Sequence, residues 1–257
     1  MEVPLWKDLI DRGEKPEYLL WVGCACAYDL SAQKMIRSLV KLLNIAGVTF
    51  GILGEEEQCT GDPARRAGNE FVFQMLALQN IELLNAYGVE RILCVCPHCY
   101  NVLKNEYPDL GGTYEVVHYS TLLSELIQRG RLPIGAKSNE RITYHDSCYL
   151  GRGNGEYEAP REVVRALYEE LTEMERSRER GLCCGAGGAQ MFKEEEPGTK
   201  RVSRQRTEEI MATGAKIVAL NCPYCKIMLS DGLNTADADT QVKLYDLSEL
   251  ILQHLGE

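Results

Sequence analysis

A chain of 257 residues with 45% hydrophobic and 26% charged residues has the make-up of a folded globular protein, not of a disordered one. Its 38 acidic residues against 28 basic ones leave a formal net charge of -10, which argues against nucleic acid as the main partner, since that requires clustered positive charge. Eleven cysteines, an odd number, argue against a disulfide framework; residues 1–6 lack the basic and apolar regions of a leader, and no long apolar run predicts a membrane span, so the expected location is cytoplasmic.

In chain order, residues 18–22 are an apolar run ending at Gly23-Cys24 and read as a buried strand. Met35, Leu39, Leu42 and Leu43 recur at helical spacing within 31–46, with Gly47 as the stop. Residues 48–53 are a second strand, and the loop 54–63 holds Cys59. A long helix with a wide apolar face spans 69–87 and ends at Gly88. A third strand, 91–95, delivers Cys96-Pro97-His98-Cys99, and Pro97 suits the start of a helix running through Leu103. Residues 113–117 are a fourth strand and 120–128 a helix capped by Ser120.

The stretch 130–139, with Pro133, Gly135, Lys137 and Ser138, reads as a linker. Beyond it the order recurs: a strand over 141–145, a helix over 160–170, a short strand over 171–174, a polar helix over 201–213, strands over 215–220 and 242–245, and a last helix over 247–255. Strands alternating with helices predict an α/β fold of two duplicated units, 1–135 and 136–257, with small, mostly parallel sheets.

The thiols carry the same duplication. Cys148 and Cys183 lie 124 positions after Cys24 and Cys59; Cys222 and Cys225 lie 126 after Cys96 and Cys99. Gly185 falls opposite Gly61 and Pro223 opposite Pro97, while Thr60 stands where the second copy has Cys184. The first half therefore offers four thiols in register and the second five. Cys26 and Cys94 fall outside the register and read as small buried hydrophobes, although Cys26 is near enough to substitute for Cys24.

Thiolates in this number suit soft metals, zinc or an iron–sulfur centre, and ligands of α/β sheets gather outside the carboxyl ends of the strands. Five thiols exceed the four that a zinc ion or a cubane cluster takes. The adjacent Cys183-Cys184 can reach different irons of one cluster more easily than a single ion, and Gly185, Gly187 and Gly188 let the backbone pass close to an inorganic core.

Cys148, Cys183-Cys184-Gly185 and Cys222-Pro223-Tyr224-Cys225 together resemble the cysteine-rich CCG domain of heterodisulfide reductases and their relatives among lactate, glycolate and glycerol-3-phosphate oxidation complexes. The stretches 59–70 and 144–152 are similar to the soluble iron–sulfur region of membrane-bound electron-transfer-flavoprotein:(mena)quinone oxidoreductases. The resemblance implies a noncubane [4Fe–4S] cluster on Cys148, Cys183, Cys184, Cys222 and Cys225. With Thr60 breaking the motif, Cys24, Cys59, Cys96 and Cys99 suit a [4Fe–4S] cubane, a zinc ion or no metal. The function implied is an oxidoreductase subunit that relays electrons between a flavoprotein-type donor and a membrane haem or quinone acceptor, held at the membrane through a partner. The rivals are catalytic disulfide reduction and a zinc-stabilised binding module.

Other signals are weaker. His145 is the candidate proton donor near the second site, or else a residue that hydrogen-bonds a ligand and orients it. His98 reads as solvent-facing or as a group supporting a ligand. Arg65 and Arg66, beside Cys59, are candidates for neutralising cluster charge, and surface arginines are commoner. The run 169–180, dense in both signs, reads as solvated surface. Two C-x-x-C pairs with distant partner thiols argue against a thioredoxin-type dithiol, and 185–188 lacks the lysine and hydroxyl of a phosphate loop.

Overall fold

The computed structural model describes residues 3–194, 197–235 and 242–256; Met1 and Glu2, part of the 1–6 stretch considered above, lie outside them. A helix that the apolar pattern does not announce opens the chain, α1 (Trp6–Asp11), with Trp6 and Leu9 buried. The first half continues through β1 (Tyr18–Trp21), α2 (Gly23–Tyr28), α3 (Leu30–Ile45), β2 (Phe50–Gly51), α4 (Asp62–Arg66), α5 (Glu70–Ala86), β3 (Arg91–Cys94), α6 (Pro97–Asn105), β4 (Glu115–His118) and α7 (Tyr119–Gln128). The second half runs through β5 (Ile142–Tyr144), α8 (Gly151–Asn154), α9 (Glu158–Leu167), α10 (Val202–Ala212), β6 (Ile217–Leu220), α11 (Pro223–Thr235), β7 (Lys243–Asp246) and α12 (Leu247–Leu255).

Two parallel sheets result, as the alternation of elements predicts. The first has the order β2-β1-β3-β4, with Leu19 opposite Ile92 and Ile92 opposite Val116. The second has the order β5-β6-β7, with Ile142 opposite Ile217 and Ile217 opposite Lys243. All four residues of β1 and of β6 are buried, as parallel strands covered on both faces must be.

The second sheet repeats β1, β3 and β4 but not β2. In place of the strand expected over 171–174, Leu171 makes a single bridge to Ile142. The next residues are drawn elsewhere: Glu173 turns to Arg161, and Met174 packs into the core. The strand expected over 48–53 is also short. Its Gly51 lies against α1, where an added Cβ would stand 3.1 Å from Trp6 Cα, so the helix docks there because no side chain is in the way.

Helix α7 starts one residue before Ser120, and its cap is His118, whose backbone is extended and whose Nδ1 accepts the Ser120 amide at 3.4 Å. Ser120 is buried in the first turn and does not cap. Helix α9 begins two residues ahead of Pro160, which a first turn tolerates, and stops at Leu167 because Tyr168 turns extended to bridge Ser138.

The halves share their core. One apolar layer joins Leu20, Leu39, Leu93 and Leu123 with Tyr144, Val163 and Leu250; the other joins Leu19, Trp21, Ile92 and Val102 with Ile210, Val218 and Leu229. Helix α3 packs on α12 and α7 on α9, so each half covers the other in the same manner. Polar ties reinforce the seam: the Tyr119 hydroxyl donates to the Asp246 carboxylate, and Ser248 Oγ donates to the Met35 carbonyl at 3.0 Å. Among the described residues no helix is long and apolar enough to cross a membrane.

Candidate metal centres at the strand ends

Each C-x-x-C follows a strand and opens a helix. Pro97 and Pro223 take the first helical position, and the first helical hydrogen bonds run from Tyr100 N to Cys96 O at 2.9 Å and from Lys226 N to Cys222 O at 3.0 Å. Cys96, Cys99, Cys222 and Cys225 thus sit at helix N-termini, whose partial positive charge favours thiolates. Cys24 lies at the start of α2 just beyond β1, and Cys148 in the turn just beyond β5.

The remaining thiols come from the long loops. Gly61 and Gly185 take positive φ, +89° and +99°, and turn the chain so that each donates its amide to the sulfur two residues earlier. Gly61 N lies 3.4 Å from Cys59 Sγ and Gly185 N lies 3.3 Å from Cys183 Sγ. The duplication therefore extends from spacing to hydrogen bonding.

The five second-half thiols are near neighbours in a continuous string, Cys148 to Cys183, Cys183 to Cys184, Cys184 to Cys225 and Cys225 to Cys222. In the first half Cys24 neighbours Cys59, Cys96 neighbours Cys99, and the Thr60 hydroxyl donates to Cys99 Sγ at 3.8 Å. Thr60 is buried and meets Cys99 as Cys184 meets Cys225. The two groups adjoin, since Cys96 also neighbours Cys222. Cys24, Cys59, Cys148 and Cys183 are half-buried and form the outer sides of the two groups; the other five thiols are buried.

Such thiols cannot all hold their protons alike. Cys24 is drawn below the usual thiol range by its hydrogen bond with Cys59, and Cys183 by those with Cys148 and Cys184. Burial opposes ionisation of Cys222, but hydrogen bonds from Cys225 and Cys96 lower its pKa all the same. A metal displaces the protons left on the partners.

His145 is buried beside the second group. Its ligand atom and the sulfurs of Cys184 and Cys225 all lie within 4.8 Å of one another. Arg206 Nε donates to His145 Nδ1 at 3.0 Å, so the imidazole proton sits on Nε2, which has no hydrogen-bond partner among the described residues. Burial and then the Arg206 charge push its pKa down to about 3, which keeps the ring neutral at pH 7. The neutral imidazole thus carries an unpartnered Nε2–H on a ring that lies close to Cys184 and Cys225. An all-thiolate donor set with a backbone amide on Cys183 and an unpartnered N–H beside Cys184 and Cys225 fits an iron–sulfur group in the second half, and the four first-half thiols, with the Gly61 amide on Cys59, are a donor set of the same kind.

Other candidates fall differently. Cys26 packs with Met35 and Leu39 in the apolar layer opposite the one that holds Cys24, so the substitution for Cys24 is not what the fold arranges. Cys94 is wholly buried, and burial pushes both of these thiols well up. His98 is not solvent-facing: it is buried, its Nδ1 lies 2.8 Å from Asp62 Oδ2, and its ring stacks on Tyr149 at 4.0 Å. Arg65 pairs with Glu106 at 2.7 Å, and Arg66 pairs with Glu106 as well as with Asp62 of its own helix at 3.0 Å, so both arginines tie α4 to Glu106 beyond α6. The run 169–180 is not simply solvated, since Glu173 bonds Arg161, Met174 is buried and the Arg178 amide donates to Asp146 at 2.8 Å.

The cysteine-rich domain model of the CCG family matches residues 18–104 and 142–230, from the first residue of β1 into α6 and from the first residue of β5 into α11. The chain belongs to the CCG cysteine-rich domain family. All nine registered thiols lie within the two CCG matches. Over 249 residues, 95% of the chain, it is 45% identical to an EtfAB:quinone oxidoreductase of Syntrophomonas wolfei. It is 48% identical over 98% of its length to the probable iron-sulfur-binding oxidoreductase FadF of Bacillus subtilis, and 35% identical over 95% to a component of the dihydromethanophenazine:CoB–CoM heterodisulfide reductase of Methanosarcina barkeri. The chain spans 35% and 36% of the first two relatives and 60% of the third. This CCG chain is therefore related to iron–sulfur oxidoreductases of electron transfer and heterodisulfide reduction.

Reasoning from spacing misses the residues that hold the CCG loops. Glu57 accepts the amides of Val22 at 2.9 Å and Gly23 at 2.6 Å, fixing the turn before Cys24, and burial pushes its pKa up to about 7. Arg161 grips Asp146, two residues before Cys148. Tyr224 reaches Cys24 in the other half. A carboxylate two residues ahead of Cys59 is a visible signal for Glu57; nothing local signals Arg161 or the crossing of Tyr224.

Proposed function

We propose that this chain is the iron–sulfur electron-transfer part of an oxidoreductase, passing electrons between a flavoprotein-type donor and a membrane haem or quinone acceptor. Cys148, Cys183, Cys184, Cys222 and Cys225 would hold a noncubane [4Fe–4S] cluster, and Cys24, Cys59, Cys96 and Cys99 a [4Fe–4S] cubane. The observation that carries this is the meeting of the two thiol groups at Cys96 and Cys222, with each group half-open on its outer side. Bound clusters would supply one-electron carriers. The protein supplies burial, the Gly61 and Gly185 amides and the His145 N–H; the donors among these favour the more negative, reduced state.

One observation favours a second reading, disulfide reduction at Cys148. A shallow, open depression between the halves is lined by Arg66, Asn101, Glu106, Cys148, Tyr149 and Arg152, which would let a small substrate approach Cys148. The two are separated by anaerobic mixing. Reduced protein that exchanges electrons rapidly with a flavoprotein and is not oxidised by disulfides agrees with the relay; oxidation that depends on a disulfide, without flavoprotein exchange, contradicts it.

A further inference from the structure

The residues before the second cysteine of the two C-x-x-C motifs, His98 and Tyr224, both reach into the other half. Tyr224 stands between Cys222 and Cys225, yet its hydroxyl lies 3.2 Å from Cys24 Sγ, 200 positions earlier in the chain. His98, at the matching place between Cys96 and Cys99, lies instead on Tyr149, the neighbour of Cys148. The two crossing side chains meet edge to face with ring centroids 5.1 Å apart.

We propose that Tyr224 is a positioning residue of the first-half centre, its hydroxyl donating to the Cys24 thiolate and raising the reduction potential of the centre that Cys24 binds. This rests on the reading that Cys24 is an iron–sulfur ligand. A thiolate bound to a metal carries no proton, so in this pair the phenol is the donor and the sulfur the acceptor. A donor on a ligand sulfur withdraws electron density and stabilises the reduced state over the oxidised one, which makes the potential more positive. The geometry is held firmly: Tyr224 is buried, with His98 against one edge and Phe192 at a centroid distance of 6.1 Å. Cys24 is only half-buried, and its neighbours are the Cys59 thiol, the backbone amides of Ala25 and of Cys24 itself, and the Tyr224 phenol. Once Cys59 is itself a thiolate ligand, the phenol is the side-chain donor of that set. Because Tyr224 lies in the first turn of α11, between Cys222 and Cys225, it also ties the geometry of one centre to that of the other.

The test is an anaerobic redox titration of the whole chain followed by paramagnetic resonance, with the first-half signal assigned by its loss in Cys24→Ser. In Tyr224→Phe, which keeps the ring and its packing, the potential of that centre is expected to move negative and that of the second-half centre to move less. Fluorinated tyrosine at position 224, a stronger donor of similar shape, is expected to move it positive, which a merely structural role would not do. An unchanged first-half potential in both variants, or equal shifts of the two centres, overturns the inference while the iron–sulfur reading stands. A wild-type protein with no paramagnetic centre dependent on Cys24 overturns that reading and the inference together.

Discussion

Cys184→Ser is expected to abolish the native paramagnetic spectrum of the second-half centre and lower its iron content, with the first-half signal retained. Cys184 is buried between Cys183 and Cys225, with the His145 imidazole alongside. Serine is close in size, so packing is kept while a soft thiolate is exchanged for a hard hydroxyl that holds its proton and binds iron poorly. The matching change in the first half, Thr60→Ser, keeps the hydroxyl that donates to Cys99 and removes one buried methyl, at a cost of about 0.8 kcal/mol. Its expected spectrum is that of the wild type. Iron analysis and paramagnetic resonance on both variants check the pair. A Cys184→Ser protein with an unaltered second-half spectrum would show that this thiol is no ligand.

Arg161→Ala is expected to destabilise the fold by about 3–5 kcal/mol, measured by urea unfolding at pH 7. Arg161 is fully buried and gives Asp146 two hydrogen bonds, at 2.7 and 2.9 Å, while reaching Glu173 at 2.6 and 2.9 Å and the Tyr157 carbonyl at 2.9 Å. Truncation leaves the Asp146 carboxylate buried with, among the described residues, the Arg178 amide as its remaining hydrogen-bond donor. Burial alone raises the pKa of Asp146, but the Arg161 bonds and charge outweigh it and the net shift is downward. A carboxyl with a depressed folded pKa adds stability above its unfolded value, near 3.9, and loses it as the pH falls through the folded value. The gap between wild type and variant should therefore be widest near neutrality and shrink below about pH 4. A loss under about 1 kcal/mol, or a gap that widens in acid, contradicts this account of the Cys148 loop.

The fold is legible where local pattern decides it. Helix α12 can be read to the residue because its apolar face coincides with a capping box, Asp246 with Glu249, and strands β1, β3 and β6 stand out because both faces of a buried parallel strand are apolar. The strand expected over 171–174 does not form because its residues are claimed by partners elsewhere, Glu173 by Arg161 and Met174 by the core. The short helices α1, α2, α4 and α8 escape a reading by pattern because four to six residues carry too little periodicity.

The thiols are legible from spacing alone, since a duplicated register shows which positions must meet. What spacing cannot give is the relation between the two halves. The meeting of Cys96 with Cys222 and the reach of Tyr224 to Cys24 arise from helix faces of one half covering the other, and no single repeat encodes that.

The central claim is tested most directly by measuring iron, acid-labile sulfide and zinc per chain in protein prepared without oxygen, with paramagnetic resonance of its oxidised and reduced forms. Two [4Fe–4S] centres predict about eight irons and about eight sulfides per chain and two distinguishable signals on reduction or oxidation. About two zinc ions per chain, no sulfide and no signal would contradict it.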